Sequence, residues 1–227
     1  GLPASPMGLF GLAMRLGREM ELSEAFRWAG LTAAASLAPE ATLFVNAHPK
    51  EMFQEPFYRS IALLRAMVPT ASLVVEVHES AVTQITDVQA MADRLAGYRV
   101  QFAYDDFGAG QARLLELAEV PPHFVKFDMG LIRGLDSASA KKQQLVAQLV
   151  NIVHDVGSTA LAEGVETRDE AVCCAQMNFD LIQGFWTGRP ASGEEIRHYH
   201  PQYVATGMAA VSAGLRGRPD GRATPVP

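Results

Sequence analysis

The chain has 227 residues, 48% hydrophobic and 19% charged, with a formal net charge of −6. That balance can bury a sizeable core and marks a globular rather than a disordered chain; it also argues against a binder of DNA, whose phosphates call for clustered Lys and Arg. No apolar run reaches membrane-spanning length, and the two cysteines, Cys173 and Cys174, are neighbours that offer no disulfide framework, as expected for the cytoplasm.

Taken in order, the chain opens with an Ala-rich helix expected over 22–38 and then a β-rich run, "TLFVN", at 42–46. "SLVVEV" (72–77) reads as the next strand. In the helix over 83–97 that follows, Ile85, Val88, Met91 and Leu95 fall on one face and Gly97 supplies a stop. Strands are expected at "RVQFAYD" (99–105) and "HFVKFD" (123–128). The helix over 141–157 has an apolar face of Leu145, Leu149, Ile152 and Val153 and closes at Gly157. "STALAEG" (158–164) and "FDLIQGF" (179–185) complete six strands, and Ser192 with Glu195 forms a capping box near the end. One domain is expected over 1–200, followed by a Gly-, Pro- and Ala-rich flanking helix or disordered tail over 201–227.

Alternating strands and helices predict a parallel sheet with crossover helices, an α/β fold. Residues two apart share a strand face. Phe44 thus goes with Asn46, Val74 with Glu76, and Gln101 with Ala103 and Asp105. Phe124 goes with Lys126 and Asp128, Leu161 with Glu163, and Leu181 with Gln183. Every strand therefore carries a polar residue at or near its C-terminal end. A (β/α)8 barrel builds its active site from those ends, whereas an open doubly wound sheet gathers its ligand groups at one switch point. The pattern predicts a (β/α)8 barrel, the TIM-barrel fold, whose first strands would precede Gly1.

The expected mouth contains Asn46, Glu76, Asp105, Asp106, Lys126, Glu163 and Gln183, a set with four carboxylates and neither thiol nor imidazole. Hard cations such as Mg²⁺ or Mn²⁺ select oxygen donors of this kind. The adjacent aspartates of "YDDFGAG" (104–110) gain a purpose there: one can bridge two metals while the other binds the second. Two such ions about 4 Å apart activate water and stabilise the leaving oxygen of a phosphodiester. Lys126 can hold the water or offset charge on phosphate; its structural alternative is a salt bridge to Asp128.

"VEVHES", "DDFGAG", "VKFD", "LAEGVET" and "QGFWTGRP", with "FVN" before them, resemble in order and spacing the motif series of EAL domains, over residues 6 to about 200. Those domains are modified TIM barrels that hydrolyse cyclic di-GMP to pGpG. The resemblance implies that Asn46, Glu76 and Asp105 bind a first metal, and that Asp105 and Asp106 bind a second. It adds Glu163 to the metal site and has Lys126 position the attacking water, with Lys126, Glu163 and Asp105 as the catalytic set. Glu79 would anchor the loop after the paired aspartates, and Asp128, Glu166 and Gln183 would support loop and substrate. It also implies Mg²⁺ or Mn²⁺ as cofactor with Ca²⁺ inhibitory, and a homodimer through the loop and helix after Asp106. An upstream sensor or GGDEF-type domain would regulate the whole.

Three departures stand out. The Glu-Ala-Leu signature is absent from the chain and by motif order belongs before Gly1. The loop reads "DDFGAGQARLLEL" rather than close to "DDFGTGYSSL". His78 replaces the family's usual Thr and is expected to face away from the mouth, packed under helices. These changes keep a rival open: an inactive domain that binds cyclic di-GMP or a partner protein and signals by conformation. A different phosphodiester substrate is a third reading. His198 and His200 are read as surface residues, Cys173 and Cys174 as helix core, and "GAG" (108–110) as a flexible loop.

Overall fold

A computed structural model of the chain describes residues 5–35, 41–78, 84–110, 114–192 and 195. Two helices, α1 (Pro6–Leu16) and α2 (Glu19–Ala35), precede the first strand. Ser5 caps α1 by accepting the Gly8 N–H, and Gly17 closes it in the left-handed region at φ 66°. The rest alternates strand and helix: β1 (Thr42–Asn46), α3 (Glu55–Met67), β2 (Ser72–His78), α4 (Ile85–Gly97), β3 (Gln101–Phe107) and α5 (Leu114–Glu119). Then come β4 (Phe124–Phe127), α6 (Met129–Ile132), α7 (Ala140–Asp155), β5 (Thr159–Ala162), α8 (Arg168–Gln176) and β6 (Leu181–Ile182). All six expected strands are present at or within their expected bounds, save that β2 and β3 run one and two residues further.

The strands form one parallel sheet in the order β1-β2-β3-β4-β5-β6. The sheet is strongly curled. Phe44 on β1 and Phe124 on β4 meet edge to face at 5.1 Å between ring centroids, although three strand spacings of a flat sheet separate them by about 14 Å. Six parallel strands curled inside a layer of helices make a partial TIM barrel. Alternation divides the side chains as expected: Val75, Phe102, Phe127 and Ala160 pack outward against the helices, in a core with Leu64, Leu95 and Val150, each large side chain so buried contributing about 1.5–3 kcal/mol. The opposite parity lines the concave face and ends at the mouth.

α7 is rotated from its expected face, keeping only Val153 buried and Leu149 partly so, and α4 departs from its expected face at one position. α7 buries Val146, Val150 and Val153 and leaves Leu145 54% exposed and Ile152 37% exposed. Both stripes satisfy helical spacing and differ by one residue, so periodicity alone cannot choose between them. In α4 Val88, Met91 and Leu95 are buried as expected, while Ile85, in the first turn, is exposed. Cys173 and Cys174 are free and buried in α8, and burial raises both thiol pKa values, that of Cys174 to about 12. The reciprocal Ser192–Glu195 capping bonds are present. The expected tail over 201–227, His198 and His200 lie outside the described residues.

Candidate active site

The paired aspartates sit where β3 departs from regular strand geometry. Its register with β4 shifts between Tyr104 and Phe107, and Asp106 has φ 58°. Consecutive strand residues point to opposite faces; the bulge and left-handed residue turn Asp106 so that both carboxylates reach the mouth. Asp is among the few residue types that enter this conformation readily. Ligand oxygens of Asp105, Asp106 and Glu163 consequently all lie within 4.8 Å of one another.

Lys126 is the centre of the site. It is 3% exposed, and its Nζ lies 2.5 Å from Glu76 Oε1, 2.7 Å from Asp105 Oδ1 and 2.8 Å from Glu163 Oε1. Its three N–H donors are thereby matched by carboxylates from the ends of β2, β3 and β5. Burial disfavours the ammonium, but the three carboxylates outweigh it and hold the lysine pKa above its ordinary value. The reverse holds for the acids. Burial raises Glu76 and Glu163 against the pull of Lys126, and burial with Asp105 beside it raises Asp106. Four carboxylates around one ammonium leave negative charge unmatched, and the donor set is mainly hard oxygen. Such a mouth fits a hard divalent cation.

Several expected placements need restating. His78 does not face away from the mouth: it shares the parity of Glu76, and its Nε2 lies 3.0 Å from Asp106 Oδ2. The mouth is therefore not free of imidazole. Lys126 forms its ion pairs with the cluster, while Asp128 caps α6 by accepting the Gly130 N–H at 2.8 Å. Glu166 pairs with Arg133 at 2.5 Å, half exposed. Gln183 is fixed through its backbone, donating to the Ala162 carbonyl and accepting from the Val165 N–H. Gly184 beside it is obligatory, since a Cβ there would lie 2.1 Å from the Val165 carbonyl oxygen. Glu79 and the loop residues Gln111, Ala112 and Arg113 lie outside the described residues.

A cavity of about 880 Å³ opens beside this cluster. Asn46, Glu76, His78 and Asp105 line its polar side, and Phe26, Leu31 and Phe44 contribute an apolar side. One buried group there escaped sequence reasoning: Arg27 of α2, ion-paired with Glu51. A basic residue in an otherwise Ala-rich helix was its only sequence signal.

The curled parallel sheet and the acidic, lysine-centred mouth define a TIM-barrel-type protein whose Asp105, Asp106 and Glu163 could hold a cation. The comparisons make this specific. The EAL domain family model matches residues 3–190, and the chain belongs to that family. It is 32% identical over 138 residues to MucR of Pseudomonas aeruginosa, named a bifunctional diguanylate cyclase/cyclic di-GMP phosphodiesterase; the match covers 60% of this chain and 20% of MucR. Klebsiella pneumoniae BlrP1, solved with manganese and cyclic di-GMP, is 27% identical with a TM-score of 0.73, covering 83% of this chain and 49% of BlrP1. The EAL domain of Mycobacterium smegmatis DcpA is 25% identical with a TM-score of 0.68, covering 78% of this chain and 83% of that domain. The chain spans 20% and 32% of the lengths of MucR and of PdeN of Escherichia coli. Among the described residues no helix is long and apolar enough to cross a membrane.

Proposed function

We propose that this chain hydrolyses one phosphodiester bond of cyclic di-GMP to give linear pGpG, and so lowers a cytoplasmic second messenger. The observation that carries the reading is Lys126 held by Glu76, Asp105 and Glu163 beside the Asp105–Asp106–Glu163 cluster. Asn46, Glu76 and Asp105 would hold one Mg²⁺ or Mn²⁺, Asp105 and Asp106 a second, with Glu163 joining them. Bound there, the cations supply Lewis acidity toward water and phosphate. In the reaction a water oxygen forms a new bond to phosphorus, one ribose oxygen leaves, and the water's proton balances the charge on the leaving oxygen. With Glu76, Asp105 and Glu163 turned to the cations, Lys126 would have donors free to orient the water and to offset charge gathering on phosphate. The apolar side of the cavity, with Phe26 and Phe44, offers surface to the nucleobases.

The same reading extends to assembly. Leu114 and Leu115 at the start of α5, just after the Asp106 loop, are 40% and 76% exposed, which supports a homodimer through that loop and helix. An upstream sensor or GGDEF-type domain would set the activity, as the bifunctional name of MucR illustrates for a relative.

The test is to incubate the chain with cyclic di-GMP and Mg²⁺, Mn²⁺ or Ca²⁺ and to follow pGpG by chromatography. Product is expected with Mg²⁺ or Mn²⁺, none with Ca²⁺, and about 10²–10³-fold less with Lys126→Ala. Undiminished turnover in that variant would sink the assignment. Binding of cyclic di-GMP without product would make the chain a receptor instead.

A further inference from the structure

A second buried ion pair lies behind the Asn46 side of the mouth. Arg27 of α2 is 4% exposed and Glu51, in the turn after β1, is 5% exposed. They meet as a fork: Arg27 Nη2 donates to Glu51 Oε2 at 2.9 Å, and Nη1 donates to Oε1. Ser23, one helical turn before Arg27, accepts from Nη1 at 2.9 Å and donates to Glu51 Oε1 at 2.8 Å. Two more bonds run from this group to main chain at the mouth. Arg27 Nη1 donates to the Asn46 carbonyl at 3.1 Å, and Glu51 Oε1 accepts the His48 N–H at 2.8 Å.

Stability alone does not account for such a pair. Two apolar side chains of similar volume are commonly as stabilising as a buried salt bridge, because they avoid the cost of desolvating two charges. What apolar residues cannot supply is directional bonding to the peptide groups on either side of Ala47. Between those groups the Ala47 N–H donates to the Glu76 carbonyl at 3.3 Å. Beyond the β1–β2 ladder, which runs to Asn46↔Glu76, the backbone after Asn46 is thus tied once more to β2 and twice to the Arg27–Glu51 fork.

We infer that the Arg27–Glu51 pair is a positioning device for Asn46, holding the end of β1 and the following turn in the geometry that lets Asn46 join the cation site. The inference rests on the functional reading above. Three measurements on the full chain test it: Mn²⁺ affinity from the paramagnetic resonance signal of free Mn²⁺, hydrogen exchange at the His48 amide, and thermal melting. The variants are the apolar replacement Arg27→Met/Glu51→Leu and the conservative Arg27→Lys, which keeps the charge but loses the fork. The double variant is expected to melt near the wild type, to bind Mn²⁺ about tenfold more weakly and to exchange the His48 amide faster. Arg27→Lys is expected to fall between. A folded double variant with wild-type Mn²⁺ affinity and wild-type exchange at His48 overturns the inference; if it does not fold, Arg27→Lys decides by the same two readouts. Asp105→Ala separates the two claims. Mn²⁺ binding unchanged in that variant removes the cation-site reading, while the His48 amide still decides what the pair does.

Discussion

Two clusters of buried ionised groups in this molecule are built differently. At Arg27–Glu51, one cation meets one anion in a fork, with a hydroxyl and two peptide groups taking up most of the remaining bonding capacity. At the mouth, one ammonium faces three carboxylates, and a fourth stands beside them. The first group is electrically closed. The second is left short of positive charge, and burial with mutual repulsion shifts the pKa values of Glu76, Asp106 and Glu163 upward. The closed pair bonds to backbone on either side of Ala47, whereas the open cluster keeps unmatched negative charge that could attract a cation.

The comparison breaks if the two sites respond alike to losing their cation. Lys126→Met should destabilise the metal-free chain by about 3–5 kcal/mol, because removing one partner strands buried charge, measured by denaturant unfolding at neutral pH. Arg27→Met should cost a similar amount, but the additional Glu51→Leu change should recover nearly all of it, whereas no single carboxylate deletion should rescue Lys126→Met. An added divalent ion should act at one site only. Mn²⁺ at one hundred times its dissociation constant is expected to stabilise the wild type by about 2.7 kcal/mol and to leave Asp105→Ala unchanged, as read from thermal melts.

Acidity sharpens the contrast further. The folded-state pKa of Glu163 is raised, by burial above all. Between the ordinary glutamate pKa and that raised value, the folded chain binds more protons than the unfolded one. The contribution of Glu163 is therefore present at lower pH and lost as pH rises through the window. Without metal, the wild type should lose melting temperature relative to Glu163→Gln as pH rises above the ordinary glutamate pKa; a flat difference would contradict the open-cluster picture. The smallest effect belongs to the half-exposed Arg133–Glu166 pair, where Glu166→Ala should change stability by about 0.5 kcal/mol.

Much of this was legible in the sequence because barrels write their function in alternation. Asn46, Glu76, Asp105, Lys126 and Glu163 fall on one parity of their strands, and that parity is the concave face. What alternation could not show was the exception to it: Asp106 joins Asp105 only through a left-handed residue at a register shift, which no local pattern announces. His78 was misplaced although its parity with Glu76 assigns it to the mouth, where it meets Asp106. The α7 face turned on a choice between two apolar stripes one residue apart, decided by packing against β5. The Arg27–Glu51 fork joins positions 24 residues apart, a pairing that needs the tertiary structure to be seen.

The order of the strands has a consequence for how the molecule comes into being. Each strand pairs with the one before it in the chain, so during synthesis every new strand meets a partner made moments earlier. Each closure spans one strand–helix–strand crossover rather than the whole chain, and the sheet can lengthen from one end as the chain emerges. The mouth follows another schedule. Lys126 must wait for Glu163, delivered after β5, before its third donor is matched, so the charged centre is completed only when most of the sheet already stands. A growing chain thus lays down its apolar staves first and closes its electrostatics late.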